Sequence, residues 1–504
     1  MKNFIFLFLS ILFFSCKVEK SEKNKEVSCV TIERNDSLSV SKALKGLDEN
    51  IQNKTGIYVL EDGGNAVLTR AWLCKYAEKS IDIQYFIFST DNIGLIACDY
   101  LVRAADRGVK VRILLDDIMV EAGINEIINL NAHPNIDIKI YNPGVNLGKN
   151  IFQKIHKFST DFKGANQRMH NKTLTVDGKV VITGGRNIAD EYFDFDHTYN
   201  FRDRDVLLLG KTVQKVENSF ETFWNHKLSV QVALLSSKKN NANNTQFEKL
   251  HDYACDPSNY WPQIREELKA LPKSFERIKN SQGLVWTDSI DFISDLPGKN
   301  NSKGMNGGGI TTNALMDLVN KAKKSIDIQS PYLVTTEVSH KLFKKAIDKG
   351  IKIRILTNSL ASTDNLEAFS GYQKDRKKLL EIGVKIFEFK PNAQIRKSLM
   401  TSKLKDSLVK IPIFGLHAKT MVIDGNTSVI GTFNLDPRSA NLNTECLTIV
   451  HSQKIANSIT SYFEEEITPE NSWETTLKFN PDSQVKNSKR LKTWTRKILP
   501  KGIL

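Results

Sequence analysis

The chain has 504 residues, with 71 Lys and Arg against 57 Asp and Glu, and its formal net charge is +14. This length allows two domains with sizeable cores, and the charge favours an anionic polymer or an anionic membrane surface as partner without choosing between them. The six cysteines form no closely spaced pairs and have no histidine clusters near them, which excludes a zinc site of the usual kind.

The first 15 residues have the pattern of an export signal. Lys2 precedes an apolar segment from Phe4 to Phe14 that is too short to span a bilayer, and Ser15-Cys16 follows. The cysteine in this place predicts cleavage before Cys16 and acylation of its thiol. We therefore expect an exported lipoprotein of the cell membrane or outer membrane that faces the periplasm. The alternative is a cytoplasmic protein with an apolar first strand.

The two halves of the remaining chain repeat each other. Residues 78–84 (Glu-Lys-Ser-Ile-Asp-Ile-Gln) are echoed by 323–329 (Lys-Lys-Ser-Ile-Asp-Ile-Gln), and 108–114 by 350–356. Strands that alternate with helices predict an α/β fold with a largely parallel sheet covered on both faces. The predicted divisions are a signal peptide (1–15), a polar tether (16–43), a first half (44–235), an insertion (236–283), a second half (284–475) and a basic tail (476–504).

One motif occurs once in each half. Residues 169–178 read Met-His-Asn-Lys-Thr-Leu-Thr-Val-Asp-Gly and residues 416–425 read Leu-His-Ala-Lys-Thr-Met-Val-Ile-Asp-Gly. On a strand, residues two apart share a face, so His170 lies beside Lys172 and His417 beside Lys419. An ammonium group binds phosphate oxygens, and an imidazole can attack phosphorus or protonate a leaving oxygen. Because each half holds one such pair, a complete site needs both halves face to face.

Each motif continues into a small-residue turn and an asparagine, Asn187 or Asn434. The double HxKxxxxD pattern followed by these turns resembles the phospholipase D superfamily, over most of the chain beyond the leader. Residues 168–172, 184–193 and 498–500 are similar to bacterial phospholipase D-like proteins that include a branch of cardiolipin synthases. The resemblance implies two pseudo-symmetric α/β/α domains with mixed, largely parallel sheets, packed face to face.

The resemblance also implies a mechanism without metal or cofactor. His170 would attack phosphorus to give a phosphohistidine and His417 would protonate the leaving alcohol, although the pseudo-symmetry permits the reverse. The non-bridging oxygens would be held by Lys172, Lys419, Asn187 and Asn434, in place of the charge compensation that Mg²⁺ gives other phosphoryl-transfer enzymes.

Carboxylates near the motifs suggest supporting roles. Asp205 and Glu445 each enter an apolar strand and are predicted to hydrogen-bond an active-site histidine, with Asp203 as the spare candidate on the same strand face. The alternative is acidic residues that cap exposed strand ends. Asp177 and Asp424 complete the catalytic motif, but each precedes a glycine, which indicates a structural role in a hairpin turn.

We expect a monomeric phosphodiesterase or phosphatidyltransferase that acts on an anionic or zwitterionic phospholipid at a membrane surface. An alcohol acceptor would give cardiolipin synthase-like transphosphatidylation, whereas water would give a hydrolytic phospholipase D. A nuclease of the same superfamily, with nucleic acid as partner, and a lipid-binding scaffold without activity remain as alternatives. The last stretch, 486–504, combines basic residues with Trp494, Ile498 and Leu499 and is compatible with an interfacial segment.

Overall fold

The computed structural model describes residues 36–120, 124–147, 156, 160–235, 244–300, 307–400 and 412–504. The predicted signal peptide, the acylation site Cys16 and the tether up to residue 35 lie outside these ranges. No helix within them is long and apolar enough to cross a bilayer.

The first half contains nine strands among its described residues. They are β1 (Thr55–Leu60), β2 (Ser80–Tyr85), β3 (Lys110–Asp116), β4 (Ile136–Tyr141), β5 (Thr173–Val176), β6 (Val180–Gly184), β7 (Tyr199–Arg202), β8 (Asp205–Gly210) and β9 (Ser229–Gln231). Its helices are α1 (Val40–Leu44), α2 (Asp48–Asn53), α3 (Gly63–Tyr76), α4 (Asn92–Asp106), α5 (Ile124–Asn131), α6 (Phe162–Asn166) and α7 (Thr212–Trp224). The predicted insertion adds α8 (Asn244–Cys255), α9 (Pro262–Lys269) and α10 (Ser274–Lys279).

The second half repeats this order. Its strands are β10 (Val285–Thr287), β11 (Ile290–Ser294), β12 (Ser325–Gln329), β13 (Lys352–Asn358), β14 (Lys385–Phe389), β15 (Ile413–Leu416), β16 (Thr420–Ile423), β17 (Thr427–Gly431), β18 (Cys446–His451) and β19 (Ser472–Thr475). Its helices are α11 (Ile310–Lys321), α12 (Glu337–Asp348), α13 (Leu366–Glu381), α14 (Arg396–Leu399), α15 (Pro437–Asn441), α16 (Gln453–Glu466) and α17 (Asn487–Arg496).

The strands form two large mixed sheets, which confirms the predicted α/β class. One has the order β10-β1-β8-β6-β5-β2-β3-β4-β9 and the other β11-β18-β17-β16-β12-β13-β14-β19. Parallel pairs join β2, β3 and β4 in the first sheet and β12, β13 and β14 in the second. The sheets are not largely parallel as predicted, because the motif hairpins β5–β6 and β16–β17 and the strands beside them pair antiparallel.

The repeated segments occupy equivalent strands. Residues 80–84 lie in β2 beside β3, and 325–329 lie in β12 beside β13, with Asp82 opposite Arg112 and Asp327 opposite Arg354. Both aspartates form hydrogen-bonded ion pairs with those arginines. The isoleucines on either side of each aspartate in β2 and β12 are buried, as expected for a sheet with helices against it. The internal repeat is therefore structural.

The two sheets pack against each other across a shared core. Val181, Val206 and Leu208 of the first half belong to one buried cluster with Val422 and Ile430 of the second. Each fully buried Val, Leu or Ile contributes roughly 1.5–3 kcal/mol relative to exposure. A parallel pairing of β7 with β15 also joins the halves. The predicted face-to-face arrangement is confirmed, and it brings the two motifs to one interface.

The divisions between parts of the chain differ in detail from those predicted. Val40 and Ala43 are buried, so the folded body begins inside the predicted tether. Leu271 and Phe275 of the predicted insertion lie in the core of the first half. Strand β10 pairs with β1 whereas β11 pairs with β18, so the chain crosses between sheets after Thr287.

Candidate active site

Each motif ends in a tight turn that requires left-handed backbone. Asp177 and Gly178 have φ of 55° and 64°, and Asp424 and Gly425 have φ of 53° and 68°. Positive φ at both central residues is the geometry of a type I′ turn, which Asp-Gly adopts readily. These turns connect β5 to β6 and β16 to β17, as the sequence predicted.

The motif aspartates hold neighbouring backbone. The Asp177 carboxylate accepts hydrogen bonds from the backbone N–H groups of Glu78, Lys79 and Ser80 at 2.6–3.1 Å, where β2 begins. Asp424 accepts the equivalent bonds from residues 323–325 at the start of β12. These contacts agree with a structural role for both aspartates.

The backbone of each motif histidine is tied to the opposite half. The His170 N–H donates to the Thr444 carbonyl at 2.9 Å, and the His417 N–H donates to the Arg202 carbonyl at 2.8 Å. In each case the next residue of the opposite half is acidic: Glu445 follows Thr444, and Asp203 follows Arg202. The two halves therefore exchange the same kind of contact.

Each acidic residue reaches the imidazole next to it. Glu445 Oε2 lies 2.8 Å from His170 Nδ1, and Asp203 Oδ2 lies 2.5 Å from His417 Nδ1. With Nδ1 engaged, Nε2 is the nitrogen left to meet a substrate. All four side chains are buried. Neither half alone could orient its own histidine, which explains why the site requires both.

The structure corrects the role predicted for Asp205. Its carboxylate binds Arg70 Nη2 at 2.7 Å and the Arg186 N–H at 3.1 Å, and Asp203 takes the place on His417. The reason lies in sheet register. Asp205 pairs with Gly184 in β6, whereas Glu445 lies two positions before the residue that pairs with Gly431, the counterpart of Gly184. Asp203, two residues before Asp205, is therefore the structural equivalent of Glu445.

The two motif lysines are buried beside the histidines. Lys172 Nζ donates to the His170 carbonyl at 2.8 Å, and Lys419 Nζ donates to the His417 carbonyl and lies 2.8 Å from His417 Nδ1. Burial lowers the pKa of Lys172 to about 8 and that of Lys419 to about 7, against the opposing pull of nearby carboxylates. Such poorly solvated ammonium groups favour an anion that can pair with them.

The imidazoles are neutral near pH 7. Burial lowers the pKa of His170 to about 4. The Glu445 carboxylate opposes this decrease, and the Lys172 ammonium adds to it. Burial and the Lys419 ammonium lower the pKa of His417 to about 3, against the pull of Asp203. Lys419 also contributes to the electrostatics of His170, and Lys172 to those of His417. The two His-Lys pairs thus act on one another in a single site.

The two predicted asparagines have different hydrogen-bond partners. Asn187 Oδ1 accepts the Ile87 N–H at 3.1 Å. The Asn434 N–H donates to Ser439 Oγ at 3.2 Å, while its buried side-chain Oδ1 has no hydrogen-bond partner among the described residues. Asn434 Oδ1 is therefore an unpaired hydrogen-bond acceptor, whereas Asn187 supports the loop after β2.

Aromatic rings that the sequence did not predict as site residues surround the histidines. The Phe86 ring lies edge-on to His170 at 5.0 Å between centroids, and Tyr192 and Phe201 lie 5.1 and 4.7 Å from His417. They exclude water from the imidazoles and contribute to the burial that lowers both pKa values. Phe201, two residues before Asp203, is the one of the three that its place in the sequence could have suggested.

The comparisons with known proteins agree with this geometry. The family model described as "Cardiolipin synthase, PLD-like domain" matches residues 73–224 and 315–467, which include both motifs and both acidic residues. The chain belongs to this family. It is therefore an enzyme of the phospholipase D superfamily, of the phosphodiesterase and phosphatidyltransferase class.

Relatives of this phospholipase D superfamily enzyme match over most of their length. Cardiolipin synthase C of Escherichia coli K12 is 33% identical over 410 residues, which are 81% of this chain and 84% of that protein. An uncharacterized protein of Helicobacter pylori J99 is 35% identical over 424 residues, 82% of this chain and 80% of that protein. The crystal structure of phosphatidylserine synthase from Haemophilus influenzae Rd KW20 has a TM-score of 0.58 at 13% identity, covering 92% of this chain and all of that one, which supports the fold.

A buried ionic network supports the second histidine of this enzyme. The Arg202 side chain binds Glu61 at 2.7 Å and Glu466 at 2.6 Å, while its carbonyl holds the backbone of His417. Arg204 binds the other oxygen of Glu61 at 2.8 Å. Burial would raise the pKa of Glu61, but the two guanidinium groups lower it to about 2. The alternating Arg-Asp-Arg-Asp sequence of 202–205 was the visible signal of this network.

Proposed function

We propose that this enzyme transfers a phosphatidyl group between glycerophospholipids through a phosphohistidine, in the manner of a cardiolipin synthase. The observation that carries the proposal is the reciprocal orientation of His170 and His417 by carboxylates of the opposite halves, with both lysines beside them. The similarity to the cardiolipin synthase of E. coli over most of both chains supports the choice of reaction.

The first step makes a phosphorus–nitrogen bond. His170 Nε2 attacks phosphorus while the bond from phosphorus to the departing alcohol oxygen breaks, and protonated His417 gives that oxygen its proton. In the second step neutral His417 takes the proton of an incoming hydroxyl, whose oxygen attacks phosphorus and displaces His170. If the hydroxyl belongs to a second phospholipid, the product is a diphosphatidyl lipid, and if it belongs to water, the product is phosphatidic acid.

The substrate phosphate completes the charge balance of the site. Lys419 lies beside His417 Nδ1 and opposes its protonation. A phosphodiester anion that attracts this ammonium leaves His417 paired with Asp203, whose carboxylate stabilises an imidazolium. Substrate binding therefore supplies the protonated acid that the first step needs. In this proposal Lys172 and the side-chain N–H groups of Asn434 would hold the remaining phosphate oxygens.

An apolar cavity favours a lipid over a nucleic acid. Its volume is about 570 Å³, and it is lined by Phe88, Ile113, Leu115, Ile127, Leu130 and Leu250 among others. The lining residue Phe88 lies two residues beyond Phe86, whose ring centroid lies 5.0 Å from that of His170. An acyl chain is the substrate part that fits such a lining, whereas a nucleotide chain has no comparable apolar portion.

Export and acylation at Cys16 belong to the same proposal. Cys255 is disulfide-bonded, while Cys74, Cys98 and Cys446 are free, and a disulfide is typical of an oxidising compartment. Cys16→Ser should release the protein into the soluble exported fraction. A variant that stays membrane-bound and is processed at the same place would contradict acylation at Cys16.

The reaction is tested by incubating the purified chain with phosphatidylglycerol, phosphatidylethanolamine, phosphatidylcholine and DNA, followed by mass spectrometry of the products. We expect cardiolipin and glycerol from phosphatidylglycerol, with no product from the His170→Ala variant and no loss of rate in excess EDTA. Phosphatidic acid as the sole lipid product would establish a hydrolytic phospholipase D, and cut DNA with intact lipids a nuclease. Lipid binding without any product would indicate a scaffold.

The cavity is tested separately through chain length. Leu130→Trp should lower kcat/KM for long-chain phosphatidylglycerol several-fold, because the indole fills space that an acyl chain would occupy. Turnover of a dihexanoyl lipid should stay near that of the unmodified enzyme. Equal losses for both lipids would show that the cavity does not receive the chain.

A further inference from the structure

The C-terminal helix α17 exposes a strip of large apolar side chains. Leu491 is 62% exposed, Trp494 64% and Ile498, just beyond the helix, 86%. In the described part of the chain ten large hydrophobic side chains are exposed, and five of them lie between residues 477 and 498. Scattered exposed apolar residues need no explanation, but a concentration within one short segment indicates a binding surface.

The apolar side chains within the helix lie on one side of it. Residues three positions apart share a side of a helix with 3.6 residues per turn, which places Trp494 in line with Leu491. The exposed Ile498 follows just after the helix ends at Arg496. Thr493, on the opposite side, is fully buried, and its hydroxyl donates to the Lys489 carbonyl at 2.8 Å. The apolar strip therefore faces away from the protein body.

Cationic side chains border the strip. Arg490 and Lys492 are exposed, and they flank it on its two sides. Lys486 is also exposed, just before the helix. A helix with aromatic and aliphatic residues at the centre of its outer face and Lys or Arg along the edges has the chemistry of an element that lies in the interface of an anionic bilayer.

The helix is held firmly on the second half. Arg376 of α13 binds Asp482, before the helix, at 2.9 Å, and Lys501, after it, binds Asp375 of the same helix at 2.5 Å. Leu504 lies in a buried cluster with Val334 and Ala368. The apolar strip consequently keeps a fixed direction relative to the catalytic halves.

A short chain of contacts connects α17 to the wall of the active site. Lys489 approaches the Thr363 carbonyl at 3.5 Å, and the adjacent Ser362 carbonyl accepts the Tyr199 hydroxyl. Tyr199 packs edge-on against Phe201 at 5.1 Å, and Phe201 touches His417. The helix thus lies beside the part of the second half that borders the catalytic site.

We propose that the outer face of α17, formed by Leu491, Trp494 and Ile498 with Arg490 and Lys492 at its edges, is a docking surface for an anionic phospholipid bilayer. It fixes the distance and direction of the active site relative to the membrane. The inference rests on the proposed function in one respect: a phospholipid substrate is what brings this enzyme to a bilayer.

The test uses the full chain with Cys16→Ser, so that no acyl anchor at this residue masks weaker binding. Partition onto vesicles of equal parts phosphatidylglycerol and phosphatidylcholine is measured by sedimentation. Substituting Ser for Leu491, Trp494 and Ile498 together should lower the partition coefficient by on the order of ten-fold or more.

Arg490→Glu with Lys492→Glu should weaken binding to these vesicles but not to pure phosphatidylcholine, and added salt should remove the difference. Leu234→Ser, at a side chain 77% exposed in the first half, is the matched control and should bind as the parent does.

Turnover of dihexanoyl phosphatidylglycerol, measured as a monomer in solution, separates this inference from the proposed reaction. The triple variant should retain that turnover while it loses vesicle binding. Unchanged vesicle binding by the triple variant would overturn the docking surface. Normal docking by a protein that turns over no lipid would sustain the surface and refute the proposed reaction.

Discussion

The two active-site histidines occupy equivalent places in the two halves but have different neighbours. At His170, Glu445 binds Nδ1 and the Lys172 ammonium donates to the backbone carbonyl of the histidine. At His417, Asp203 and the Lys419 ammonium both lie at Nδ1, at 2.5 and 2.8 Å. The duplicated backbone is therefore symmetric, whereas the charges around the rings are not.

This difference bears on the roles in the proposed reaction. A nucleophile must be neutral, and both imidazoles meet this condition, since their pKa values are about 4 and 3. An acid must gain a proton when substrate is present, and the proton affinity of His417 changes most when Lys419 moves from Nδ1 to a phosphate oxygen. The asymmetry favours His170 as nucleophile and His417 as acid.

Removal of either histidine should have the largest effect. His170→Ala and His417→Ala should each reduce turnover by on the order of 10³- to 10⁶-fold, and the double variant should cost little more than the worse single one, because groups that act as a unit are not additive. His417→Ala should still form a phosphohistidine at His170 with a substrate whose leaving group needs no proton, detected by mass spectrometry. Label on His417 in the His170→Ala protein would reverse the roles.

The two carboxylates should differ in their dependence on the leaving group. Asp203→Asn and Glu445→Gln should each lower kcat by about 10²–10³-fold, since the amide no longer favours the productive tautomer and charge of the histidine. The loss from Asp203→Asn should shrink with a good leaving group, because such a group departs without a proton from His417. The loss from Glu445→Gln should not shrink in this way.

Asp205→Asn is the matched control for that comparison. Asp205 binds Arg70 and Arg186 rather than a histidine. We expect its substitution to lower the free energy of unfolding, measured in urea, while kcat of the folded fraction keeps the same leaving-group dependence. A leaving-group effect at Asp205 equal to that at Asp203 would contradict the register argument.

The motif residues could be predicted because two copies in one chain identify what they share. His170, Lys172 and their counterparts need no knowledge of the sheet, since residues two apart in an extended segment share a face, and both pairs lie just before β5 and β16. The choice between Asp203 and Asp205 could not be made in the same way. The sequence predicted both on one strand face, but β8 begins at Asp205 and leaves Asp203 just before it. Only the pairing of Asp205 with Gly184 in the neighbouring strand decides which carboxylate reaches the opposite half.

Specific contacts between the two halves also could not be predicted from the sequence. The pattern indicated that the halves must meet, but not that Arg202 would give its carbonyl to His417 or that Glu466 would bind the Arg202 side chain. The separation in sequence exceeds 200 residues, and such contacts leave no local periodicity. The same reason hid the antiparallel strands, because helix-strand alternation reports only β2–β4 and β12–β14.

The lysines offer a smaller test of the asymmetry, through pH. Because the pKa of Lys419 is about 7 and that of Lys172 about 8, the affinity for an anionic phosphonate monoester should fall as pH rises through this range and the ammonium groups lose their protons. Lys419→Arg should move the midpoint of that fall up by about one pH unit, since guanidinium stays protonated. Lys172→Arg should leave the midpoint nearly unchanged, because Lys419 titrates first. Inhibition constants from pH 6 to 9 provide the measurement, and equal shifts in the two variants would show that the lysines are equivalent.

In contrast to the lysines, the two motif aspartates should have equal effects on stability when they are substituted. Asp177 and Asp424 each accept bonds from three successive backbone N–H groups at the start of a central strand, and neither is hydrogen-bonded to a histidine in the described structure. An asparagine tolerates the positive φ of these positions but offers one acceptor oxygen without charge. Asp177→Asn and Asp424→Asn should therefore each lower the free energy of unfolding by about 1–3 kcal/mol in urea titrations. Turnover of the folded protein should change less than about three-fold, since the histidines and lysines keep their partners.

Asp291→Asn, at an exposed surface ion pair with Lys215, is the control and should change neither quantity measurably. A hundred-fold loss of turnover at unchanged stability in either variant would show that the substituted aspartate takes a direct part in catalysis.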